Sequence, residues 1–141
     1  MLFARSFLFL TVLLSLGSCS CEPEDIARLA LSGMENLMGK GFIPSEEIRA
    51  LGKFQGMSVN LSQSTVEDST ESTIYLKLEN GDPAILGYQP EILARKCAEI
   101  YLRDFVKSAN YQKITVQFIL SDPSNPENIA MQEYTFDIAD F

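Results

Sequence analysis

The sequence predicts an α+β fold, a two-layer sandwich in which a four-stranded antiparallel sheet carries its helices on one face. Two segments repeat apolar residues at helical spacing, and four others alternate apolar and polar residues as strands do. The predicted order along the chain is α-β-β-α-β-β. Each helix has one apolar stripe and each strand one apolar face, and these surfaces must cover one another.

The first 18 residues have the pattern of a secretory signal peptide. Arg5 is their only charged residue, and residues 6–16 are almost wholly apolar. This run is too short to cross a bilayer, which takes about 20 apolar residues. A positive start, an apolar core of roughly 7–15 residues and a small-residue end are typical of a signal peptide.

The end of this segment is more specific. Leu16-Gly17-Ser18-Cys19 resembles the lipobox of bacterial lipoprotein precursors, an aliphatic residue and two small residues before a cysteine. The resemblance covers residues 1–19 and implies that the Cys19 thiol receives a diacylglyceryl group and that a signal peptidase cuts between Ser18 and Cys19. By the sorting rule of that family, Ser20 in place of Asp favours the outer membrane. An ordinary secretory signal with unmodified Cys19 and a retained transmembrane helix are the alternatives.

The predicted organisation is a signal peptide over 1–18, a lipidated tether over 19–23 and a single small α+β domain over 24–141. The chain has a net charge of −8, and loss of Arg5 with the signal makes it −9. We therefore expect no nucleic-acid partner, because phosphate contacts need Lys and Arg. The expected location is the bacterial cell envelope, with the protein held in the membrane by lipid on Cys19.

The first half of the predicted domain is one helix followed by two strands. Residues 24–38 place apolar side chains on one helical face, and Gly39 and Gly41 supply the stop. The first strand spans about 53–65, and the second alternates around Ile74, Leu76 and Leu78. The polar residues 62–72 between them are predicted to form a long hairpin loop.

The second half repeats this arrangement. A helix is predicted over 89–109, with Pro90 at its first position. Strands near 114–120 and 134–138 both place apolar residues at even positions, so we expect them to pair antiparallel with this helix over their even-numbered face. The order is that of a ferredoxin-like unit whose first strand has moved to its end. A cystatin-like wrap of one helix against a curved sheet is the alternative.

The sequence offers little catalytic chemistry. It contains no histidine, the commonest general base and metal ligand, so a Cys–His nucleophile is excluded. The polar loop 122–128 has oxygen ligands suited to calcium, but it lacks the usual Gly, and turn chemistry accounts for its composition. We therefore expect no catalytic residue, no metal and no cofactor. Cys21 and Cys97 either pair as a disulfide or stay free, with Cys97 a small buried apolar residue.

Three functions are compatible with the sequence. The preferred one is an anchored, non-enzymatic lipoprotein whose domain binds a protein partner. Tyr75 and Ile119 are the candidate interaction face, because they fall on the polar sides of their strands. The alternatives are a hydrolase acting on envelope material through paired carboxylates, and a small-ligand carrier with a pocket lined by Tyr101 and Phe105.

Overall fold

The structure is a computed structural model that describes residues 23–66 and 69–141. The chain divides into two compact units, residues 1–32 and 33–141, and the second unit contains the whole sheet. The signal peptide, the lipobox with Cys19, and Cys21 lie outside the described residues. Lipidation, cleavage and the pairing of Cys21 therefore stay predictions.

The described residues form four α-helices and two short 3₁₀ turns, at Ser108–Asn110 and Ile138–Asp140. The helix predicted over 24–38 is confirmed, and Gly39 follows it in the left-handed region at φ +109°. The helix predicted over 89–109 ends earlier, because Phe105 adopts an extended backbone and is buried. In chain order the helices are α1 (Pro23–Met38), α2 (Glu46–Gly52), α3 (Pro83–Leu86) and α4 (Pro90–Asp104).

The structure has four strands: β1 (Gly56–Val66), β2 (Ser69–Glu79), β3 (Lys113–Asp122) and β4 (Asn125–Asp137). They form one sheet in that order, and its pairing differs from the prediction. The sheet is mixed, because β2 and β3 run parallel while the two hairpins are antiparallel. The physical reason is α4, which lies between β2 and β3 in the sequence. It carries the chain back along the sheet, so that β3 runs in the same direction as β2. The α+β class is confirmed, but the fully antiparallel sheet is wrong, and α2 and α3 are added to the predicted order.

Both hairpins are longer, and their connections shorter, than the sequence indicated. The β1–β2 ladder continues to the pair Val66–Ser69, so most of the predicted loop 62–72 is strand. The β3–β4 ladder continues to Asp122–Asn125, with a register shift at Ser121. These polar segments stay extended because cross-strand pairing satisfies their backbone groups even where no apolar face is present.

The pairing predicted for the last two strands is confirmed. Val116 is opposite Tyr134 and Ile114 is opposite Phe136, so both strands turn their even-numbered side chains to one face. The fully buried Ala94 and Cys97 of α4 join Ile114 and Val116 in one hydrophobic core. The hydroxyl of Tyr101 donates to the carbonyl of Phe42 at 2.9 Å within this core.

The apolar stripe of α1 is only partly buried over residues 33–38. Met38 packs against the core, whereas Met34 is half exposed and Leu37 is 80% exposed. The sequence had predicted that this whole stripe would cover the sheet. Short α2 contributes to the core instead, through the completely buried Ile48.

Candidate functional site

The open face of the sheet, opposite α4, carries both side chains that the sequence singled out. Tyr75 of β2 lies between Asn60 and Thr115 in the register, and Ile119 of β3 is paired with Glu79. Both are partly buried. The parallel register offsets them by four residues, which is about 13 Å along the strands. The structure therefore places them on one face but not in one cluster.

Ile119 belongs to an apolar group at the far end of the β3–β4 hairpin. Ile119 is paired with Met131, Leu120 with Ala130, and Ser121 with Ile129. Ile129 is 57% exposed, Met131 53% and Leu120 37%. We call Ile119, Leu120, Ile129 and Met131 the distal patch. Its side chains lie on both faces of the hairpin, because successive residues of a strand point in opposite directions.

A groove lies on the core side of the distal patch, between the hairpin and α3. Its volume is about 410 Å³, and its lining is mainly apolar: Pro83, Leu86, Phe118, Leu120, Ala130 and Met131. The position of α3 is fixed at its start, where the Asp82 side chain accepts from the backbone N–H of Ala84 at 3.0 Å. The Lys53 ammonium also donates to the Asp82 carboxylate, and this bond is the main cause of the lowered pKa of Asp82.

Three carboxylates lie beside the distal patch. Glu79 is beside Ile119 in the register, and Glu133 follows Met131 on the same face. At the hairpin turn, Asp122 accepts hydrogen bonds from the Ser124 hydroxyl at 2.6 Å and the Ser124 N–H at 2.8 Å. These bonds lower the pKa of Asp122 and keep it ionised. The distal patch therefore has an apolar centre and a mainly acidic rim, to which Lys77, opposite Gln117 in the register, adds one cation.

The side chains in the middle of the open face are polar, and those of β3 form hydrogen bonds with those of β4. The hydroxyls of Thr115 and Thr135 lie 2.9 Å apart, and the Gln117 amide donates to Glu133. Thr115 and Gln117 are buried among their neighbours although they lie on the open face. This polar strip separates Tyr75 from the distal patch.

A second apolar groove lies on the helical side of the protein. Its volume is about 500 Å³, and it is bordered by Leu51, Ile85, Tyr88, Ile92, Leu93 and Lys96. Tyr88 is 75% exposed, and Ile92 also lies mostly in solvent. Lys96 places a cation at the border of this groove.

Three other ionisable side chains, Cys97, Asp104 and Asp122, have structural roles. Cys97 is completely buried, and burial raises the pKa of its thiol to about 12. The carboxylate of Asp104 is bound by Arg103 at 2.8 Å, which lowers its pKa. In the loop considered for calcium, Asp122 accepts turn hydrogen bonds from Ser124, as the turn interpretation predicted.

Sequence reasoning identified Ile119 and missed the rest of the distal patch. The reason is that residues 122–128 were interpreted as a loop and the last strand was begun at residue 134. In the longer strand of the structure, the odd-numbered Met131 and Ile129 lie on the face opposite the even-numbered Tyr134 and Phe136. The signal was therefore present as a second alternating apolar series. Ile92 was missed because it lies off the buried face of α4, and Tyr88 was missed because it precedes that helix.

Two features are absent from the described residues. These residues contain no helix long and apolar enough to cross a membrane, and no group of three or more metal-ligating His, Cys, Asp or Glu side chains. No protein-family model, curated protein or solved structure matches the chain.

Proposed function

We propose that this chain is a lipid-anchored lipoprotein of the bacterial cell envelope that works by binding a protein partner through the distal patch, without catalysis. The observation that carries the proposal is the clustering of Ile119, Leu120, Ile129 and Met131 at one end of the β3–β4 hairpin. The outer membrane is the favoured location, on the resemblance of residues 16–19 to a lipobox and on Ser20.

The composition of the distal patch suits a protein interface. Interfaces commonly have a core of apolar side chains, Met among them, inside a polar rim. The rim here is mainly acidic, with Glu79, Asp122 and Glu133 outnumbering Lys77. Complementary charge guides association and selects between partners. The partner's contact surface is therefore expected to have an apolar centre bordered by Lys or Arg.

The anchor strengthens such an interaction without adding any contact. Two or more acyl chains give stable attachment, since each buried methylene contributes about 0.8 kcal/mol. Tethering confines the domain to a thin layer and raises its effective concentration for a neighbour in the same membrane. A patch of modest size is then sufficient for binding.

Paired Ser substitutions in the distal patch test the proposal. We expect Ile129→Ser with Met131→Ser to reduce partner recovery at least about tenfold, since a loss of about 1.4 kcal/mol already has that effect. The measurement is quantitative mass spectrometry after crosslinking the full chain in its native envelope and purifying it. Both side chains are exposed, so circular dichroism should show an unchanged fold.

Two further variants make this experiment specific. Tyr88→Ser is the matched control, because Tyr88 is an exposed apolar side chain on the helical side. It should leave recovery unchanged. Tyr75→Ser reports whether the interface extends across the polar strip of the open face. Unchanged recovery with the Ile129 and Met131 pair replaced would contradict the proposed site.

A small-ligand carrier is the second candidate function, but its pocket would lie elsewhere than the sequence predicted. Tyr101 and Phe105 do not line a pocket as that alternative required, because both are 1% exposed and their rings pack at 5.6 Å. The groove beside α3 is the feature that favours a carrier, since its 410 Å³ falls within the usual range for ligand sites. A bound apolar molecule co-purifying with the chain would favour this candidate over partner binding.

The hydrolase alternative is the least supported of the three. A general acid requires a carboxyl group whose pKa is raised. Among the described residues, the carboxyl groups with a clear displacement are Asp82, Asp104 and Asp122, and the pKa of each is lowered. Turnover of an envelope polymer that is lost on replacing one carboxylate would restore this alternative.

A further inference from the structure

The two edge strands of the sheet differ in how they are protected from pairing with a strand of another molecule. An edge strand presents unpaired backbone groups, and natural proteins usually block them with charge, proline or a bulge. The edge strand β4 has Pro126 and charged residues, and its hairpin has a register shift at Ser121. The other edge strand, β1, has the sequence GMSVNLSQSTV, with no charge and no proline. Its ladder with β2 has no register shift over its whole length.

The core is also incompletely covered beside β1. Met57, Val59 and Leu61 point to the core face and are only partly buried. Their partners on β2 are Leu78, Leu76 and Ile74, and all three are completely buried. The apolar side chains of β1 would therefore be buried further by another strand placed alongside it.

We infer that β1 pairs antiparallel with β1 of a second copy of this chain, around a two-fold axis at Val59. The two sheets then join into one continuous eight-stranded sheet. A two-fold interface uses the same surface on both copies, so the surface must be complementary to itself. The residues of β1 meet that requirement on both faces of the sheet.

The register follows from the order of the side chains. With the axis at Val59, each Met57 is opposite Leu61 of the other copy, and the two Val59 residues are opposite each other. On the open face, Ser58 is opposite Asn60. An axis at Leu61 would instead place Met57 opposite Thr65, so apolar pairing favours Val59. Cross-strand pairs of this kind contribute to sheet stability.

Charge and rigidity both favour a second copy as the occupant. A protein with an acidic net charge repels itself over most of its surface, but β1 has no charged side chain to be placed opposite its own image. The start of the strand is also held in place, because Arg49 donates to the carbonyls of Phe54 and Gln55, each at 2.9 Å. A preorganised edge loses little freedom on pairing.

Disulfide trapping in native membranes tests the register. In the full chain, Val59→Cys should form a dimer on oxidation, since directly opposite Cβ atoms lie about 4.5–5.5 Å apart. Ser64→Cys is the matched control on the same strand. With the axis at Val59, the two copies of residue 64 are about 33 Å apart along the strands and should not join. The unsubstituted chain gives the background from the native cysteines.

A second pair of variants tests the association itself. Asn60→Lys places like charges near the axis, and Thr135→Lys adds the same charge on β4. Both residues are exposed, so both variants should keep the fold by circular dichroism. In detergent, sedimentation should show a dimer for the unsubstituted chain and for Thr135→Lys, and at least tenfold weaker association for Asn60→Lys. A monomeric unsubstituted chain, equal trapping at residues 59 and 64, or trapping of Val59→Cys only to a different protein would overturn the inference.

Discussion

Replacing Cys19 with serine is expected to abolish lipid attachment completely. Only the sulfur of cysteine forms the thioether that lipoprotein precursors carry, and Leu16-Gly17-Ser18-Cys19 resembles their processing site. Without acyl chains the domain loses the hydrophobic contribution that holds it at the membrane. Metabolic labelling with a fatty-acid analogue should label the unsubstituted chain and leave Cys19→Ser unlabelled.

Cys21→Ser is the control for this experiment, because it removes a nearby thiol and leaves the lipobox intact. It should be labelled like the unsubstituted chain. Equal labelling of Cys19→Ser and the unsubstituted chain would contradict the anchor. This result would leave an ordinary secretory signal or a retained helix as the explanation of residues 1–18.

The largest expected loss of folding stability is that of Gly41→Ala. Gly41 has φ +77°, a backbone conformation that residues with a side chain rarely adopt. A Cβ atom there would lie 1.9 Å from the backbone carbonyl oxygen of Asp104, at the end of α4. Because both the strain and the contact involve main chain, we expect unfolding to become easier by at least about 3 kcal/mol. Urea denaturation followed by circular dichroism measures this change.

Gly33→Ala is the matched control for Gly41→Ala. Gly33 lies within α1, and a Cβ atom built there meets no atom within 4 Å. Alanine in a helix interior is favoured over glycine by about 0.5–1 kcal/mol. The control should therefore be neutral or slightly stabilising. A change below about 1 kcal/mol for Gly41→Ala would show that the approach of residue 41 to α4 is not needed for folding.

The sequence predicted the elements more reliably than their pairing. The apolar faces of α4, β3 and β4 followed from periodicity because each of these faces is buried in one core. The parallel pairing of β2 with β3 was missed, although a helix between two strands is the usual connection of a parallel pair. Whether β3 is paired parallel or antiparallel depends on which strand of the β1–β2 hairpin it lies beside. The spacing of apolar residues within each strand does not specify that neighbour.

The candidate site was only partly predictable for a related reason. Ile119 was found because it breaks the alternation of β3, whereas Ile129 was hidden by a segment rich in turn residues. Asn125 and Pro126 are typical of loops, yet here they begin an edge strand, where proline is tolerated. Strand extension depends on the pairing partner, and a single sequence does not identify that partner.

Photocrosslinking in living cells tests the central claim, that the distal patch binds a protein partner. A photoreactive phenylalanine analogue would replace Met131 in one variant of the full chain and Thr135 in the other. Both positions are exposed on the same face of β4, about 13 Å apart along the strand. We expect a membrane-associated adduct of one defined mass at position 131 and little or none at position 135. Equal adducts at the two positions, or no adduct other than the chain with itself at position 131, would contradict it.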